Sequence, residues 1–385
     1  TGVSRPVDGH LAVLIDAINE CGVPVLAVDI PSGLDADSGQ PLGKAVRAAA
    51  TATFAHLKRG LVLHPGAELA GRVRVVPIGA PGHVSERAGW DGAIIDAADA
   101  LSRFPGRPKA AHKGTFGHLL ILAGSLGKTG AAALCGEGAL RVGTGLVTIA
   151  TTGVAQPVLE ARCRAELMIE QVIERNDAPL SERALTRLGE VIAGKSAVVI
   201  GPGLSTAPGI SALVTRLAQI MAVPAVIDAD GINVLAADPA SLGRVAAPLV
   251  LTPHPGEMAR LVGKSVPAVQ NDRIGTAREA ARRLQAVIAL KGARTVVAAP
   301  DGRIWVNTSG NPGMATGGTG DVLAGVIGGL LAQGMSPLEA TLLGVSLHGS
   351  AGDLAAERLG EPGLLAGDLL AELPGLLSGR SAERK

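Results

Sequence analysis

The chain contains no tyrosine, and only three Phe and two Trp among its 385 residues. Proteins that hold single-stranded nucleic acid stack its bases on aromatic side chains, and so few rings exclude that class. Cysteine is also scarce. Cys21, Cys135 and Cys163 are widely spaced and odd in number. That excludes a disulfide framework or a four-thiolate zinc site and fits a reducing cytoplasm. Neither sign of charge predominates: a net charge of +1 gives no electrostatic case for a polyanionic partner. A membrane span is not expected either, because the uncharged stretch 322–338 is broken by four glycines, a Gln and a Pro. No secretory signal is visible, and the chain opens on Thr1 rather than Met. The expected location is the cytoplasm.

What the chain has instead is aliphatic. Hydrophobic residues make up 47% and charged residues 18%, supplied chiefly by Ala, Val, Leu and Ile, a composition suited to a buried parallel sheet. The length allows two or three domains. Two blocks are expected, 1–103 and 104–385, joined at Phe104-Pro-Gly-Arg-Pro-Lys109, a Pro/Gly/basic connection. The first block reads as a helix over 8–20 and strands at 24–30, 52–55, 61–63 and 72–78. In the second, strands are predicted at 119–123, 146–150, 197–200, 225–228, 249–252, 287–290, 295–299 and 303–306. Helices are predicted near 131–142, 181–193, 209–221, 267–285, 321–333, 337–358 and 366–377. Such alternation means βαβ units, and ligands of such sheets lie beyond the carboxyl ends of the strands.

The polar motifs fall at those ends. Gly310-Asn-Pro-Gly-Met-Ala-Thr-Gly-Gly-Thr-Gly-Asp321 runs directly into the apolar Val322-Leu-Ala-Gly-Val-Ile327, a flexible loop entering a helix. Gly317, Gly318 and Gly320 let backbone amides converge on an anion. Asp321 then stands where a carboxylate takes a proton from an attacking hydroxyl. A strand is followed by Gly201-Pro-Gly203, another by Asp228-Ala-Asp230, another by Pro253-His-Pro255, another by Lys291-Gly292. Gly201 and Gly203 fit either a close backbone approach to a ligand or a plain turn. Asp228 and Asp230 fit a cation held through water or, preferred for Asp230, a helix cap. His254, fixed between prolines, reads as a polar contact to substrate, with a backbone-bonded histidine as the alternative. Lys291 at a strand end calls for a partner, and phosphate is the expected one, with Gly292 allowing close approach. Gly124-Ser-Leu-Gly-Lys-Thr-Gly130 is not a phosphate-binding P-loop, because Leu122 stands where the first glycine is required. His348, in an Ala/Leu/Gly-rich helix, is expected to be core.

Together, His112-Lys-Gly-Thr-Phe-Gly-His-Leu-Leu-Ile-Leu-Ala-Gly-Ser125, Gly201-Pro-Gly-Leu204, Leu251-Thr-Pro-His-Pro-Gly-Glu257, Leu290-Lys-Gly292 and Gly317-Gly-Thr-Gly-Asp321 resemble the nucleotide-dependent NAD(P)H-hydrate dehydratases. These belong to the ribokinase-like superfamily. The resemblance covers about residues 106–377, with the motifs in the family's order. Val28-Asp-Ile-Pro-Ser-Gly-Leu-Asp-Ala-Asp-Ser-Gly39 and the run from Thr53-Phe54 through Gly60 to Gly79 resemble the C-terminal part of the NAD(P)H-hydrate epimerase often fused to it.

The resemblance implies a three-layer α/β domain of ribokinase type preceded by a partial Rossmann-like α/β domain. It implies Asp321 as catalytic base, with Ala131, Gly203, His254 and Asp321 against the hydrated substrate. Lys291, Gly292, Ala293, Arg294, Thr295, Gly318, Thr319 and Gly320 would hold the nucleotide. In the epimerase-like block, Asp29 resembles the catalytic acid, and Ser32 lies in the neighbourhood of a K⁺. The upstream phosphate-contacting loop of the epimerases has no counterpart here, so epimerase activity is not expected of this chain. The implied reaction phosphorylates the hydroxyl of hydrated NADH or NADPH and then expels phosphate, restoring the double bond of the S epimer. It needs Mg²⁺ and an adenine nucleotide. ADP is expected over ATP, since the Ala/Gly/Arg-rich composition fits a bacterial chain; the metal ligands are not legible. A homo-oligomer is expected. Two other readings are a ribokinase-like kinase of a small vitamin precursor and a non-catalytic nucleotide-binding protein.

Overall fold

A computed structural model describes residues 5–79, 81, 83, 92–175, 180–239, 242 and 245–378. It divides into two compact units, Thr1–Ala93 and Ile94–Lys385. The expected connection at Phe104–Lys109 thus lies inside the second unit. It is held there: the Arg107 guanidinium sits 3.7 Å over the Phe116 ring and donates to the Gly143 carbonyl.

The first unit is a three-stranded parallel sheet of β1 (Leu26–Val28), β2 (Ala50–Phe54) and β3 (Arg72–Val76), in that order. A helix, Gly9–Glu20, precedes it. Leu34, Leu61 and Ala70 form its small core. The strand expected at 61–63 is instead a 3₁₀ turn, Arg59–Leu61. The amides of Leu61 and Val62 are taken locally by the carbonyls of Lys58 and Arg59, so none is free for a neighbouring strand.

The second unit is built on ten strands in the order β4-β13-β12-β11-β10-β9-β8-β5-β6-β7. Here β4 is Ala93–Ile94, β5 His118–Leu122, β6 Leu146–Thr152, β7 Leu167–Ile173, β8 Ala197–Ile200, β9 Ala225–Ile227, β10 Leu249–Leu251, β11 Val287–Leu290, β12 Val296–Ala298 and β13 Ile304–Val306. From β11 to β7 every pairing is parallel; β11–β12 and β12–β13 are antiparallel. Leu119, Ile121, Val199, Val226, Val250 and Ala289 join a core with the helices Thr129–Arg141, Thr319–Ala332, Pro337–Leu359 and Ala366–Leu377. The alternating residues Leu120, Val198, Ile200, Ile227, Leu251 and Ile288 are equally buried on the opposite face, as a sheet covered on both sides requires.

The order reverses between β5 and β8. In one direction the chain proceeds through β6 and β7, in the other through β9, β10 and β11. This topological switch point opens the crevice in which α/β sheets bind ligands. The helix expected over 267–285 is two, Val266–Asn271 and Arg273–Leu284. Between them Asp272 turns its carboxylate onto the Gly275 amide at 2.8 Å and starts a new helix. The edge strand β7, the boundary strand β4, and the helices Gly66–Ala70, Ala97–Ser102, Gln156–Arg162 and Pro255–Val262 were not expected, whereas the helix Ala229–Leu235 answers to the cap reading of Asp230. No described helix is long and apolar enough to cross a membrane.

Candidate active site

The helix Thr319–Ala332 starts at the rim of that crevice. Its cap, Gly318, is left-handed at φ +96° and carries no side chain to satisfy the first amides. Those amides and the helix dipole favour an anion. The rest of the helix is buried almost throughout, so its first turn is rigidly presented. Asp321 lies in that turn. Burial raises its carboxyl pKa to about 7, with Asp228, Asp230 and Glu257 adding to the rise and Lys291 opposing it. Among the described residues no protein donor is set on this carboxylate. It is therefore poised between its two protonation states near neutral pH, as a general base requires.

Lys291 follows β11 and reaches the same turn. A Cβ at Gly320 would sit 3.3 Å from its ammonium. Burial acts to lower the pKa of Lys291, but Asp228, Glu257 and Asp321 outweigh it and keep it charged. Phosphate is the expected partner; the one the structure shows is a carboxylate, with Nζ 2.6 Å from Asp228 Oδ1. Asp228, 1% exposed, is the N-cap residue of the helix Ala229–Leu235, and Asp230 stands in its first turn rather than at the cap. Asp230 accepts instead from the Ser205 amide at 2.8 Å and from Lys128 at 3.4 Å. It thereby ties the loop after β8 to the start of the helix Thr129–Arg141.

The two loops at the switch point are joined. The Gly124 amide donates to the Pro202 carbonyl at 2.9 Å, and Ser125 Oγ to the Gly203 carbonyl at 2.8 Å. Gly203 and Ala131 meet: a Cβ at Gly203 would lie 2.9 Å from that of Ala131. The space beside Gly201 is filled by the Asp228 carbonyl, so this glycine serves the approach of β8 to β9, not a ligand. His254 caps the helix Pro255–Val262. Its Nδ1 accepts from the Gly256 amide at 3.0 Å, while its own amide donates to Glu257 at 2.8 Å. It is a backbone-bonded histidine, yet its ring remains half exposed and open to a ligand.

The run after Lys291 curls back on itself. Gly292 takes φ +141° against the buried guanidinium of Arg273, and Arg294 takes φ +62°. Thr295 Oγ1 donates to the Gly292 carbonyl at 3.3 Å and Arg294 to that of Thr308. Ala293 lies within this turn. Arg273 underlies it, donating through Nη2 to the carbonyls of Leu290, Lys291 and Arg294. Nothing in the sequence singled out Arg273. Asp228 had a visible acid-after-strand pattern, but its lysine partner lies 63 residues away. Nor is His348 simply core: its Nε2 meets the Thr319 carbonyl at 2.8 Å. Among the described residues no group of three or more His, Cys, Asp or Glu could hold a metal ion.

In the first unit, Asp29 follows β1 at φ +67°. Its Oδ1 accepts from Lys58 at 2.5 Å, the Phe54 amide at 2.9 Å and Thr53 Oγ1 at 3.3 Å. The Lys58 bond leads in holding its carboxyl below the usual range. Ser32 lies three residues on, half-buried, its carbonyl accepting from the Val46 amide.

Comparison with known proteins bears on this geometry. Residues 119–375 match the family described as NAD(P)H-hydrate dehydratase, and residues 1–60 match the YjeF-related protein N-terminus. The bifunctional NAD(P)H-hydrate repair enzyme of Moorella thermoacetica is 45% identical over 98% of this chain and 71% of its own length. That of Escherichia coli is 39% identical over 97% and 69%. Among solved structures, the ADP/ATP-dependent NAD(P)H-hydrate dehydratase of Bacillus subtilis, co-crystallised with ATP/Mg²⁺, aligns with a TM-score of 0.64 at 33% identity. It covers 76% of this chain and 99% of that one. A ribokinase-like superfamily protein from Enterococcus faecalis aligns at 0.65 and 28%, over 76% and 97%.

Proposed function

The chain belongs to the NAD(P)H-hydrate dehydratase family, and from that premise we propose how its own residues carry out nucleotide-dependent repair of hydrated NADH and NADPH. The observation that carries the proposal is that the carboxyl of Asp321, raised to about 7, and the ammonium of Lys291, 3.3 Å from where a Cβ at Gly320 would stand, share the open N-terminus of the helix Thr319–Ala332. Phosphoryl transfer asks of a protein mainly positioning and charge, and this corner supplies both.

Asp321 takes the proton of the ring hydroxyl as it attacks. The amides of Gly318, Thr319 and Gly320, with Lys291, hold the phosphoryl oxygens and compensate their charge. The turn from Gly292 to Thr295 supports the nucleotide. Gly203, Ala131 and His254 border the side on which the hydrated ring lies. Once phosphorylated, the hydroxyl oxygen of the S epimer leaves with the phosphate, the neighbouring ring carbon gives up a proton to water, and the double bond of the reduced ring is restored. Mg²⁺ characteristically keeps most of its waters and binds through nucleotide phosphates with one or two carboxylates. Asp230, with its side chain 18% exposed, is the carboxylate assigned to it. When bound, the ion neutralises phosphate charge.

We assign ADP as the donor ahead of ATP. The first unit is assigned an epimerase-like site at Asp29, with K⁺ near Ser32. The test is a time course of hydrated NADH, its two epimers resolved by chromatography, with ADP, ATP or no nucleotide. Nucleotide-dependent loss of the S epimer with appearance of NADH supports the reading. Accumulation of a phosphorylated product without NADH would favour a small-molecule kinase.

A further inference from the structure

The long helix Pro337–Leu359 lies outside the corner just described, yet one of its faces grips the segment that leads into it. Four residues of that face, His348, Gly349, Gly352 and Asp353, all meet the stretch from Asn307 to Thr319. Their spacing of one, four and five places them on adjoining turns of one side. At the far end of the segment, Asp353 Oδ2 accepts from the Gly310 amide at 2.9 Å, and its Oδ1 from Asn311 Nδ2 at 3.0 Å. At the near end, His348 Nε2 donates to the Thr319 carbonyl at 2.8 Å. Between them the helix has no side chains to keep the segment away: a Cβ at Gly349 would run into Ser309 Oγ, and one at Gly352 into Met314 Sδ. The segment also closes on itself, since Thr319 Oγ1 donates to the carbonyls of Met314 and Thr316.

Burial holds the pKa of His348 down at about 4. The ring is therefore neutral in working conditions. With a carbonyl facing Nε2, the proton resides there. A neutral donor of this kind fixes the Thr319 carbonyl without adding a charge beside Asp321.

We propose that His348 and Asp353 are positioning residues for the transfer step, holding the two ends of the Gly310–Thr319 segment so that the Gly318–Gly320 amides and the Asp321 carboxylate keep one geometry. The proposal rests on the assignment of Asp321 and the glycine turn given above. Neither residue touches the reacting atoms. His348 acts one residue from Gly320 and two from Asp321, so its loss misplaces the base more than it removes phosphate contacts.

The test compares full-length variants for kcat on the hydrate, ADP affinity by calorimetry, and melting temperature. A misplacement of about 1 Å costs on the order of a hundredfold in rate, so His348→Leu should lower kcat by about ten- to a hundredfold while ADP affinity changes by less than about threefold. His348→Gln, whose amide donates from nearly the same place, should recover most of the lost rate. A purely structural role would lower the melting temperature and leave kcat of the folded enzyme unchanged. For the other end, Asp353→Ala should slow turnover. The exchanged pair Asp353→Asn with Asn311→Asp should restore it, because the amide and carboxylate simply trade places. A His348→Leu enzyme keeping more than half of the wild-type kcat overturns the proposal, as does a His348→Gln enzyme no faster than His348→Leu. Should His348→Leu fail to fold, the Asp353 series decides: an Asp353→Ala enzyme at the wild-type rate refutes the clamp. Asp321→Asn is run alongside. If that variant turns over normally, the assignment of the base fails rather than the clamp.

Discussion

The ammonium of Lys291 rests 2.6 Å from Oδ1 of Asp228, and the same oxygen accepts the Thr252 hydroxyl at 2.7 Å. Asp228 is buried at the end of β9, Thr252 at the end of β10, and Lys291 follows β11. Three adjacent parallel strands thus deliver one carboxylate, one hydroxyl and one ammonium to a single point. The pair positions Lys291 toward the glycine turn before any phosphate arrives.

Removing the lysine should therefore have two separable effects. Lys291→Ala leaves Asp228 buried without its counter-charge, which typically costs about 3–5 kcal/mol; a loss of unfolding free energy of that order, measured by denaturant titration, is expected. It also removes the charge proposed to meet phosphate, a kind of contact worth roughly 1.5–3 kcal/mol, so ADP affinity by calorimetry should fall about tenfold or more. The double variant Lys291→Met with Asp228→Asn should recover much of the stability and none of the affinity. Recovered affinity would return Lys291 to a structural role.

Activity should follow the ionisation of Asp321. A base must be deprotonated to work, and burial, then Asp228, push this carboxyl up to about 7 while Lys291 pulls the other way. The expected profile of kcat/KM therefore rises with pH and levels off above about 7. Asp228→Asn removes one of the charges that raise it, so the rising limb should move to lower pH. A limb that stays in place, or moves upward, would contradict that electrostatic link.

The same shift has a consequence for stability. Between the ordinary carboxyl value of 3.8 and about 7, the folded protein binds more proton at this site than the unfolded chain does. Stability from Asp321 is thus full at low pH and declines as pH rises through that window. Asp321→Asn removes the penalty of burying the charge. We expect this variant to melt higher than wild type at neutral pH, with the difference shrinking toward pH 4. A lower melting temperature at neutral pH would count against a destabilised carboxylate.

Arg273 is 7% exposed, and burial lowers its pKa to about 10. Its Nη groups are occupied by the Gln270 side chain and three carbonyls, while Nε has no partner among the described residues. Arg273→Met should strand the carbonyls of the Lys291–Arg294 turn, each at a cost of about 1–3 kcal/mol. Both stability and ADP affinity should fall. Loss of stability alone, with affinity intact, would mean that the turn does not depend on Arg273 for its nucleotide-binding shape.

How much of this was legible in the sequence differs by kind of interaction. The seven parallel strands from β11 to β7 were visible except β7, because buried aliphatic runs between glycine-marked loops are a local signal. β7, Leu-Met-Ile-Glu-Gln-Val-Ile, carries two polar residues in mid-strand, as an edge strand can, and its pattern is weak. The short helix after β10 was hidden, since His254 is both a cap and a functional candidate, and the one after β9 was legible only through a cap placed at Asp230 instead of Asp228. Asp321 and Lys291 were legible because glycine stands beside each. Arg273, Thr252, His348 and Asp353 were not, since what they do depends on partners that the fold brings together. Arg273 reaches carbonyls 17 to 21 residues away, and Asp353 an asparagine 42 away. Nothing local in the sequence encodes such a meeting.

The central claim is that Asp321 is the base of nucleotide-dependent dehydration. The most direct measurement is recovery of reduced-nicotinamide absorbance from hydrated NADH with ADP and Mg²⁺, wild type against Asp321→Asn, with ADP affinity measured on both. General base catalysis is worth on the order of a hundred- to ten-thousandfold, so the variant should lose at least about that hundredfold in rate while binding ADP nearly as wild type does. An Asp321→Asn enzyme that restores NADH at more than about a tenth of the wild-type rate would contradict the account.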